Sequence, residues 1–280
     1  MRIPAALDEA VGLLACPVCR ARADLDSPLA RDGGSLRCPH RHSFDIARQG
    51  QVNLANGPEP ANADSAQMVA ARERLLGSGV YLPIREALSA ALPDSGHVVE
   101  VGSGPGWYLR GVLAAHPGLS GLASDVSVAA ARRAAQHGLA SIVADTWAGL
   151  PLRSGVVDAL LCVFAPRNAA EFARVLRPGG RLLVVSPTTR HLAGLRARLG
   201  LLDVAHDKQE SLTTQLTDAG LRAVGSRLVE FEVEADAAQV HDVVAMGPNA
   251  FHAHDELAEG PAVIEVSVSV DEFVRPAGLG

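Results

Sequence analysis

The stretch VVEVGSGPGW (residues 98–107) decides the fold. A short apolar run of strand length ends in glycines at every second position, and a helical pattern begins directly behind them. Glycine allows a tight turn and lets a ligand approach the backbone closely. About twenty residues later, Asp125 ends a second apolar run, where a carboxylate in a doubly wound sheet reaches the ribose hydroxyls of a ligand. The stretch therefore predicts a nucleotide-type cofactor site at the carboxyl edge of a parallel sheet.

Outward from this stretch, strand and helix patterns alternate, which is typical of an α/β fold with helices on both faces of a parallel sheet. Further strands are predicted over Leu119–Ser127, 141–145, Val156–Phe164, 181–187, Leu228–Val233 and Ala262–Val268. Helices are predicted over 65–76, 82–91, 107–115, 128–137, 169–176, 209–219 and 236–245. Residues 57–92 are expected to be a linker with two helices, and residues 93–280 the cofactor-binding domain.

Two pairs of metal-ligand residues mark residues 1–56 as a separate unit. Cys16-Pro-Val-Cys19 is followed, after eighteen residues, by Cys38-Pro-His-Arg-His42. Zinc takes four such ligands in a tetrahedron, and two closely spaced pairs on two turns supply them. A redox Cys-x-x-Cys site would not explain the second pair. The fourth ligand is His40 or His42, and four protein ligands would make the zinc structural.

Composition limits the classes of function. The net charge is −6, so any RNA contact must come from local arginines, and we single out Arg20, Arg22, Arg37, Arg41 and Arg48. Three of the four cysteines crowd into the first unit, which argues against a disulfide framework. No signal peptide or membrane-spanning segment is recognisable. We expect a cytoplasmic protein with no membrane partner.

The cofactor-binding domain resembles the class I methyltransferases. The landmarks are the G-x-G-x-G spacing, Glu100 before the loop, Ala144-Asp145, LPL (150–152) and LRPGG (176–180). A dinucleotide-binding fold, the rival, would show G-x-G-x-x-G. The resemblance implies a Rossmann-like, seven-stranded, mostly parallel sheet that binds S-adenosylmethionine. It implies that Asp125 binds the ribose and Asp145 lies near the adenine, although Asp145 is equally suited to capping the next helix. The remaining cofactor candidates of this segment are Gly102, Ser103, Gly104, Gly106, Trp107 and Tyr108.

The whole chain resembles the 23S ribosomal RNA guanine-N1 methyltransferases, especially their tylosin-resistance branch. The resemblance is carried by CPVC (16–19), CPHRHSFDIARQGQVNL (38–54), DSAQMVAARERLLGSGVY (64–81), VFAPRN (163–168), HDK (206–208) and VVAMGP (243–248). It implies methylation at N1 of a guanine in a 23S rRNA hairpin loop, of the guanine-748 type, at the macrolide-binding region. It also implies zinc ligation by Cys16, Cys19, Cys38 and His42, cofactor contacts from Tyr81 and His191, and a homodimer that grips the RNA.

The substrate pocket is expected beside the fourth strand of the sheet. Phe164 is positioned to line the pocket or stack on a flipped base, or else to pack in the core. Arg167 is positioned to stabilise charge on the base oxygen. No residue is identified as the acceptor of the guanine N1 proton. A small-molecule methyltransferase and an inactive RNA-binding factor are the two rival functions.

Overall fold

A computed structural model describes residues 5–201, 208–247 and 260–277, with backbone only for residues 208–210. Within these ranges the helices are α1 (Ala5–Ala10), α2 (Pro17–Ala23), α3 (Ala66–Gly77), α4 (Leu82–Ala90), α5 (Trp107–Ala115), α6 (Val128–Gln136), α7 (Ala169–Val175), α8 (Ala193–Leu199), α9 (Lys208–Asp218) and α10 (Ala237–Ala245). The strands are β1 (Ala30–Asp32), β2 (Ser35–Arg37), β3 (Ser43–Asp45), β4 (Val52–Asn53), β5 (Ser95–Val101), β6 (Gly118–Asp125), β7 (Ala140–Val143), β8 (Val157–Val163), β9 (Leu176–Pro187), β10 (Arg222–Ala235) and β11 (Ala262–Val274).

The main sheet of the described chain has the strand order β10-β11-β9-β8-β5-β6-β7-β4. Strands β9 to β4 in this order are parallel, and β10 and β11 add antiparallel to the edge of β9. The mostly parallel α/β class is confirmed, but the sheet has eight strands in the described residues and not seven. The additional strand is β4, whose Val52 and Asn53 pair with Ile142 and Val143 of β7. It comes from the N-terminal unit, and two residues are too few for a recognisable strand pattern.

Alternating side chains of the central strands form two cores. On β5, Val98 faces one core, and Val99 and Val101 face the other. The first core holds α3, α4, α5, α8 and α10, whereas the second holds the N-terminal unit, α7 and α9. The zinc-ligand unit therefore takes the place of a helix layer on part of the second face.

The N-terminal unit is joined to the main sheet by backbone hydrogen bonds. It contains the small antiparallel sheet β1-β2-β3. The amide of Ala15 donates to the carbonyl of Pro151 (2.9 Å), and the amide of Arg153 donates to the carbonyl of Leu13 (2.8 Å). The amide of Leu54 donates to the carbonyl of Val143 (2.9 Å). These bonds fix the unit against β7 and the segment that follows β7.

The segment between the N-terminal unit and β5 crosses the carboxyl edge of the sheet. The carboxylate of Glu59 accepts the amide of Val128 at the start of α6 (2.8 Å), and the hydroxyl of Ser127 donates to the carbonyl of Asp64 (2.6 Å). Ser65 caps α3 by accepting the amide of Met68 (3.2 Å). This path places α3 directly beside the glycine loop.

No helix in the described ranges is long and apolar enough to cross a bilayer. Of the segments that carry the family resemblance, His206, Asp207 and Pro248 lie outside the described residues.

Candidate metal centre and cofactor crevice

Four predicted metal ligands lie together in the N-terminal unit. The Nδ1 atom of His42 is 3.4 Å from each of the sulfurs of Cys16, Cys19 and Cys38, and the sulfurs of Cys19 and Cys38 are 3.8 Å apart. All four ligand atoms lie within 4.8 Å of one another. A tetrahedral zinc ion with bonds of about 2.3 Å to sulfur and about 2.0 Å to nitrogen requires edges of about 3.8 and 3.5 Å. The donor set therefore fits zinc closely.

The turn between Cys38 and His42 selects the histidine. The amide of Arg41 donates to the carbonyl of Cys38 (2.9 Å), and the amide of Cys38 donates to the carbonyl of His42 (3.1 Å). Arg41 closes this turn in the left-handed conformation (φ 69°). His42 consequently points inward, while His40 is exposed and outside the cluster.

The glycine loop between β5 and α5 is shaped by close approach of other segments. A β-carbon on Gly102 would lie 2.4 Å from the β-carbon of Ala165, in the segment after β8. A β-carbon on Gly104, which has φ +53°, would lie 3.2 Å from Cδ of Arg72 on α3. Both positions have a positive φ and therefore favour glycine, and Gly102 in addition leaves no room for a side chain.

Two buried hydroxyls line the loop. The hydroxyls of Ser103 and Tyr108 are both buried and accept or donate no hydrogen bond within the described residues. Buried polar atoms of native proteins are normally hydrogen-bonded, so these hydroxyls suit a polar ligand lying along the loop. Trp107 packs edge-to-face on Tyr108 (4.9 Å between ring centroids) and lies under the guanidinium of Arg85, at 4.3 Å.

Asp125, at the end of β6, is linked to the glycine loop. Its Oδ2 accepts the amide of Gly104 (2.7 Å), and its Oδ1 accepts the amide of Ser127 (2.8 Å). Burial raises the pKa of Asp125, and these two amides oppose that shift. A carboxylate has about four acceptor positions, so Asp125 retains the capacity to accept hydroxyl donors from a ligand.

Glu100 lies beneath the loop, away from solvent. Its carboxyl accepts the amide of Leu109 (3.1 Å) in the first turn of α5. Burial raises its pKa to about 8, and the nearby charge of Asp125 adds to the shift. At neutral pH Glu100 is therefore mostly protonated, so it anchors α5 and is not a counter-charge for a cation.

Three rings meet beside the loop, although they come from distant parts of the chain. The ring of Phe164 is 6.3 Å from Tyr81 and 5.7 Å from His191, and Tyr81 is 6.2 Å from His191. Tyr81 and His191 are buried, whereas Phe164 is 41% exposed and has a positive φ of 53°. Such a conformation is uncommon outside glycine and is concentrated at functional sites. The exposure excludes a core-packing role for Phe164.

The protonation of His191 is fixed by a backbone bond. Its Nδ1 accepts the amide of Ser267 (3.3 Å), and burial, with the charge of Arg196, lowers its pKa to about 4. At neutral pH the ring is uncharged, so the proton must be on Nε2. His191 is thus a hydrogen-bond donor and not a base.

The other predicted residues follow β7 and β8, at the same edge of the parallel sheet as the glycine loop, Asp125 and the three rings, and we call this edge the crevice. Arg167 donates to the hydroxyl of Ser186 (2.7 Å) and follows β8. Asp145 follows β7, and its carboxylate accepts the amide of Trp147 (2.9 Å), in a turn and not at a helix start. Trp147 is 66% exposed.

Similarity to known proteins covers both parts of the chain. A zinc-ribbon family described as "RlmA, N-terminal" matches residues 14–56, and a family described as "Methyltransferase domain" matches residues 99–184. The 23S rRNA (guanine(748)-N(1))-methyltransferase of Streptomyces fradiae is 44% identical over 275 residues, which cover 93% of this chain and 95% of that protein. A Micromonospora griseorubida relative is also 44% identical, over 94% of this chain and 96% of its own length.

The chain belongs to the 23S rRNA (guanine-N1)-methyltransferase family. It is therefore an S-adenosylmethionine-dependent methyltransferase with a zinc ribbon, and both cofactor predictions are confirmed. The fold also occurs in a chain from the complex between the Haloferax volcanii Trm112 methyltransferase activator and a methyltransferase. That chain has a TM-score of 0.53 and 17% identity, and the match covers 76% of this chain and 98% of that one.

Sequence reasoning missed one residue beside the glycine loop, Arg72, and one exposed aromatic residue that is hydrogen-bonded to Asp145, Trp147. Arg72 is the residue of α3 that approaches Gly104, and on the sequence it resembles any other arginine of a surface helix. Trp147 lies in a turn that has no periodic sequence pattern, so periodicity does not single it out. The available signal was that Trp147 is one of only two tryptophans and follows Asp145 closely.

Proposed function

We propose that this protein methylates N1 of a guanine in a hairpin loop of 23S rRNA, of the guanine-748 type, and thereby confers macrolide resistance. The observation that carries the proposal is 44% identity to the Streptomyces fradiae enzyme over 93% of the chain, and the zinc-ribbon family match over residues 14–56 supports it. A small-molecule methyltransferase would have no need of the zinc ribbon. The protein would act in the cytoplasm, where ribosomes are assembled.

The cofactor site is assigned to the crevice of the glycine loop. Gly102, Ser103, Gly104 and Gly106 surround the methionine portion, with Tyr108 and Trp107 beside them. Asp125 binds the ribose, and Asp145 lies near the adenine. Tyr81 and His191 complete the site. The supporting observations are the unpaired hydroxyls of Ser103 and Tyr108 and the acceptor capacity of Asp125.

The reaction is a displacement that the protein promotes mainly by positioning. S-adenosylmethionine, when bound, supplies a methyl group on a cationic sulfur. Transfer of that methyl group to the guanine would require N1 to lose its proton first. Phe164 stacks on the flipped base with its exposed face. Arg167 neutralises charge on the base oxygen. His191 takes no part in accepting the N1 proton, because its free nitrogen already carries one.

Residues 1–56 are assigned to RNA recognition, residues 57–92 to the connection and residues 93–280 to catalysis. The zinc is held by Cys16, Cys19, Cys38 and His42. Of the five arginines singled out, Arg20 pairs with Asp24 and Asp26, and Arg37 pairs with Asp32. Arg22, Arg41 and Arg48 are exposed and are the stem contacts we propose, within a homodimer.

Primer extension tests the substrate, because a methyl group at guanine N1 blocks base pairing and stops reverse transcription. A 23S rRNA hairpin is treated with the protein and S-adenosylmethionine, and a new stop is expected opposite the target guanine. A hairpin with adenosine at that position is the control. Labelled methyl transfer to a free macrolide, with no stop in the RNA, would overturn the proposal.

A further inference from the structure

Arg72 of α3 lies close to the glycine loop. Its Cδ and one of its terminal nitrogens are 3.2 and 3.3 Å from the position of a β-carbon on Gly104. The guanidinium pairs with Asp64, and its other terminal nitrogen donates to the carbonyl of Met246 (2.6 Å). About a quarter of its side chain is exposed. The residue is thus held beside the loop by two hydrogen-bonding partners, and part of its side chain remains exposed.

The charge of Arg72 acts inside the crevice. It lowers the pKa of both Asp125 and Tyr108, which burial raises. Arg85 also acts on Tyr108, but its guanidinium is stacked over Trp107. Arg72 is therefore the cation that faces the loop among these groups, in a crevice otherwise lined by the carboxyls of Asp125 and Asp64.

The cofactor contains a carboxylate that the guanidinium of Arg72 could bind. Its methionine portion ends in a carboxylate, and the glycine loop that Arg72 touches is the segment assigned to that portion. Guanidinium and carboxylate form short, paired hydrogen bonds that are stronger than neutral ones. We propose that Arg72 binds the methionine carboxylate of S-adenosylmethionine, with Asp64 occupying the guanidinium when the cofactor is away. This inference rests on the proposed cofactor site and is independent of the RNA substrate.

Two ligands distinguish a direct contact between Arg72 and the carboxylate from a purely structural role of Arg72. S-adenosylhomocysteine has an amino-acid carboxylate that corresponds to the methionine carboxylate of the cofactor, whereas 5′-methylthioadenosine lacks the amino-acid portion and shares the adenosine and the sulfur. Titration calorimetry of Arg72→Met should show a loss of about 10- to 100-fold in S-adenosylhomocysteine affinity, the range for a hydrogen bond to a charged group. The affinity for methylthioadenosine should change less than about threefold.

Arg74→Met is the matched control, because Arg74 lies on the same helix and bonds Asp242 of α10 (3.0 Å). It should leave both affinities unchanged. Arg72→Lys keeps the charge and should reduce only the affinity for S-adenosylhomocysteine, by about 3- to 10-fold. If thermal unfolding shows that Arg72→Met is unfolded, Arg72→Lys takes its place in the comparison. Equal losses for both ligands, or no loss for either, would overturn the proposal. If the unaltered protein binds neither ligand, the cofactor site itself is wrongly assigned. A failed RNA assay would leave this inference standing.

Discussion

The zinc cluster and the cofactor crevice are built on different principles. The cluster takes its four ligands from residues 16–42, in two turns that bring them within 4.8 Å of one another. The crevice gathers residues from Arg72 to His191, and the order of the parallel strands brings them to one edge. A local site depends on the bonds to one ion, whereas a distributed site depends on the whole sheet. The two regions should therefore respond differently to single substitutions.

The largest effect is expected from Cys19→Ser. Cys19 is buried, and its sulfur is 3.4 Å from Nδ1 of His42. Serine is a poor zinc ligand, and the binding energy of a structural zinc ion is folding energy. We expect the variant to lose its zinc and roughly 5 kcal/mol or more of stability. Metal analysis and chemical unfolding measure the two quantities.

His40→Ala is the matched control for the cluster, because His40 lies in the same turn and is exposed. It should keep about one zinc per chain and its full stability. Retention of zinc by Cys19→Ser would show that the cluster is not the binding site. A several-fold loss of S-adenosylhomocysteine affinity in the zinc-free protein would show that the two regions communicate. The route would be the bonds from Ala15 and Arg153 to the segment after β7.

The second effect concerns the buried acid beneath the crevice. Glu100 has a pKa of about 8 in the folded chain, against about 4.5 in the unfolded chain. Below pH 4.5 both states are protonated, and its stabilising contribution is fully present. As pH rises from 4.5 to 8 the unfolded chain ionises first, so that contribution is lost.

Glu100→Gln replaces the protonated acid with a neutral amide that still accepts the amide of Leu109. The stability of this variant relative to the unaltered protein should therefore increase between pH 5 and pH 8, by about 3 kcal/mol. Urea unfolding at the two pH values measures it, and other titrating groups cancel in the difference. Parallel pH dependence of the two proteins would mean that Glu100 ionises normally.

The third effect is expected on the affinity for the cofactor product. Asp125→Asn leaves one side-chain acceptor where the amides of Gly104 and Ser127 both need one, and it removes the charge. We expect the affinity for S-adenosylhomocysteine to fall about 30-fold or more, measured by calorimetry. Asp158→Asn is the control, because Asp158 also accepts a backbone amide, that of His97 (2.7 Å), but at the other end of β5. Equal losses in the two variants would indicate a general destabilisation of the sheet.

Much of this architecture could be predicted from the sequence. The spacing of apolar residues distinguishes helices from strands, and glycine and proline indicate where these elements end. Helix α5 was predicted with the bounds observed, and β6 ends at Asp125 as expected. The short helices α1 and α8 and the strand β4 were not predicted. Elements of two, six and seven residues show no reliable period, and β4 pairs with the edge that β7 would otherwise leave open.

The two candidate sites likewise contain residues that the sequence identifies and residues that it does not. Spacing alone left His40 and His42 as alternatives, and the left-handed Arg41 is what turns His42 inward. Arg72 could not be found, since its importance arises from Gly104, which lies 32 positions away along the chain. The sequence is compatible with Phe164 either in the pocket or in the core, and the exposure and positive φ of the residue distinguish the two. Metal ligands that are close together in the sequence can be recognised from it. Contacts between distant segments that meet at the edge of the sheet cannot.

The smallest effect is expected on the affinity for RNA, which is proposed to contact both the zinc ribbon and the methyltransferase domain. Arg41 and Arg48 are exposed on the zinc ribbon, and each is proposed to contact a phosphate. Arg41→Ala and Arg48→Ala should each weaken binding of the 23S rRNA hairpin only about two- to fivefold, because one phosphate contact is a small part of the total. Each should also reduce the slope of log affinity against log salt by about one. Electrophoretic mobility shifts at several salt concentrations measure both.

Arg31→Ala is the control for that comparison, since Arg31 lies on the same ribbon but is paired with Asp8 (2.5 Å). It should change neither the affinity nor the salt slope. S-adenosylhomocysteine affinity should be the same in all three variants, because the arginines of the ribbon lie apart from the crevice. If Arg41→Ala and Arg48→Ala bind the hairpin as tightly as Arg31→Ala does, this face of the ribbon does not hold the stem. The zinc unit would then serve to support the second face of the sheet, and the RNA would have to be gripped by the methyltransferase domain.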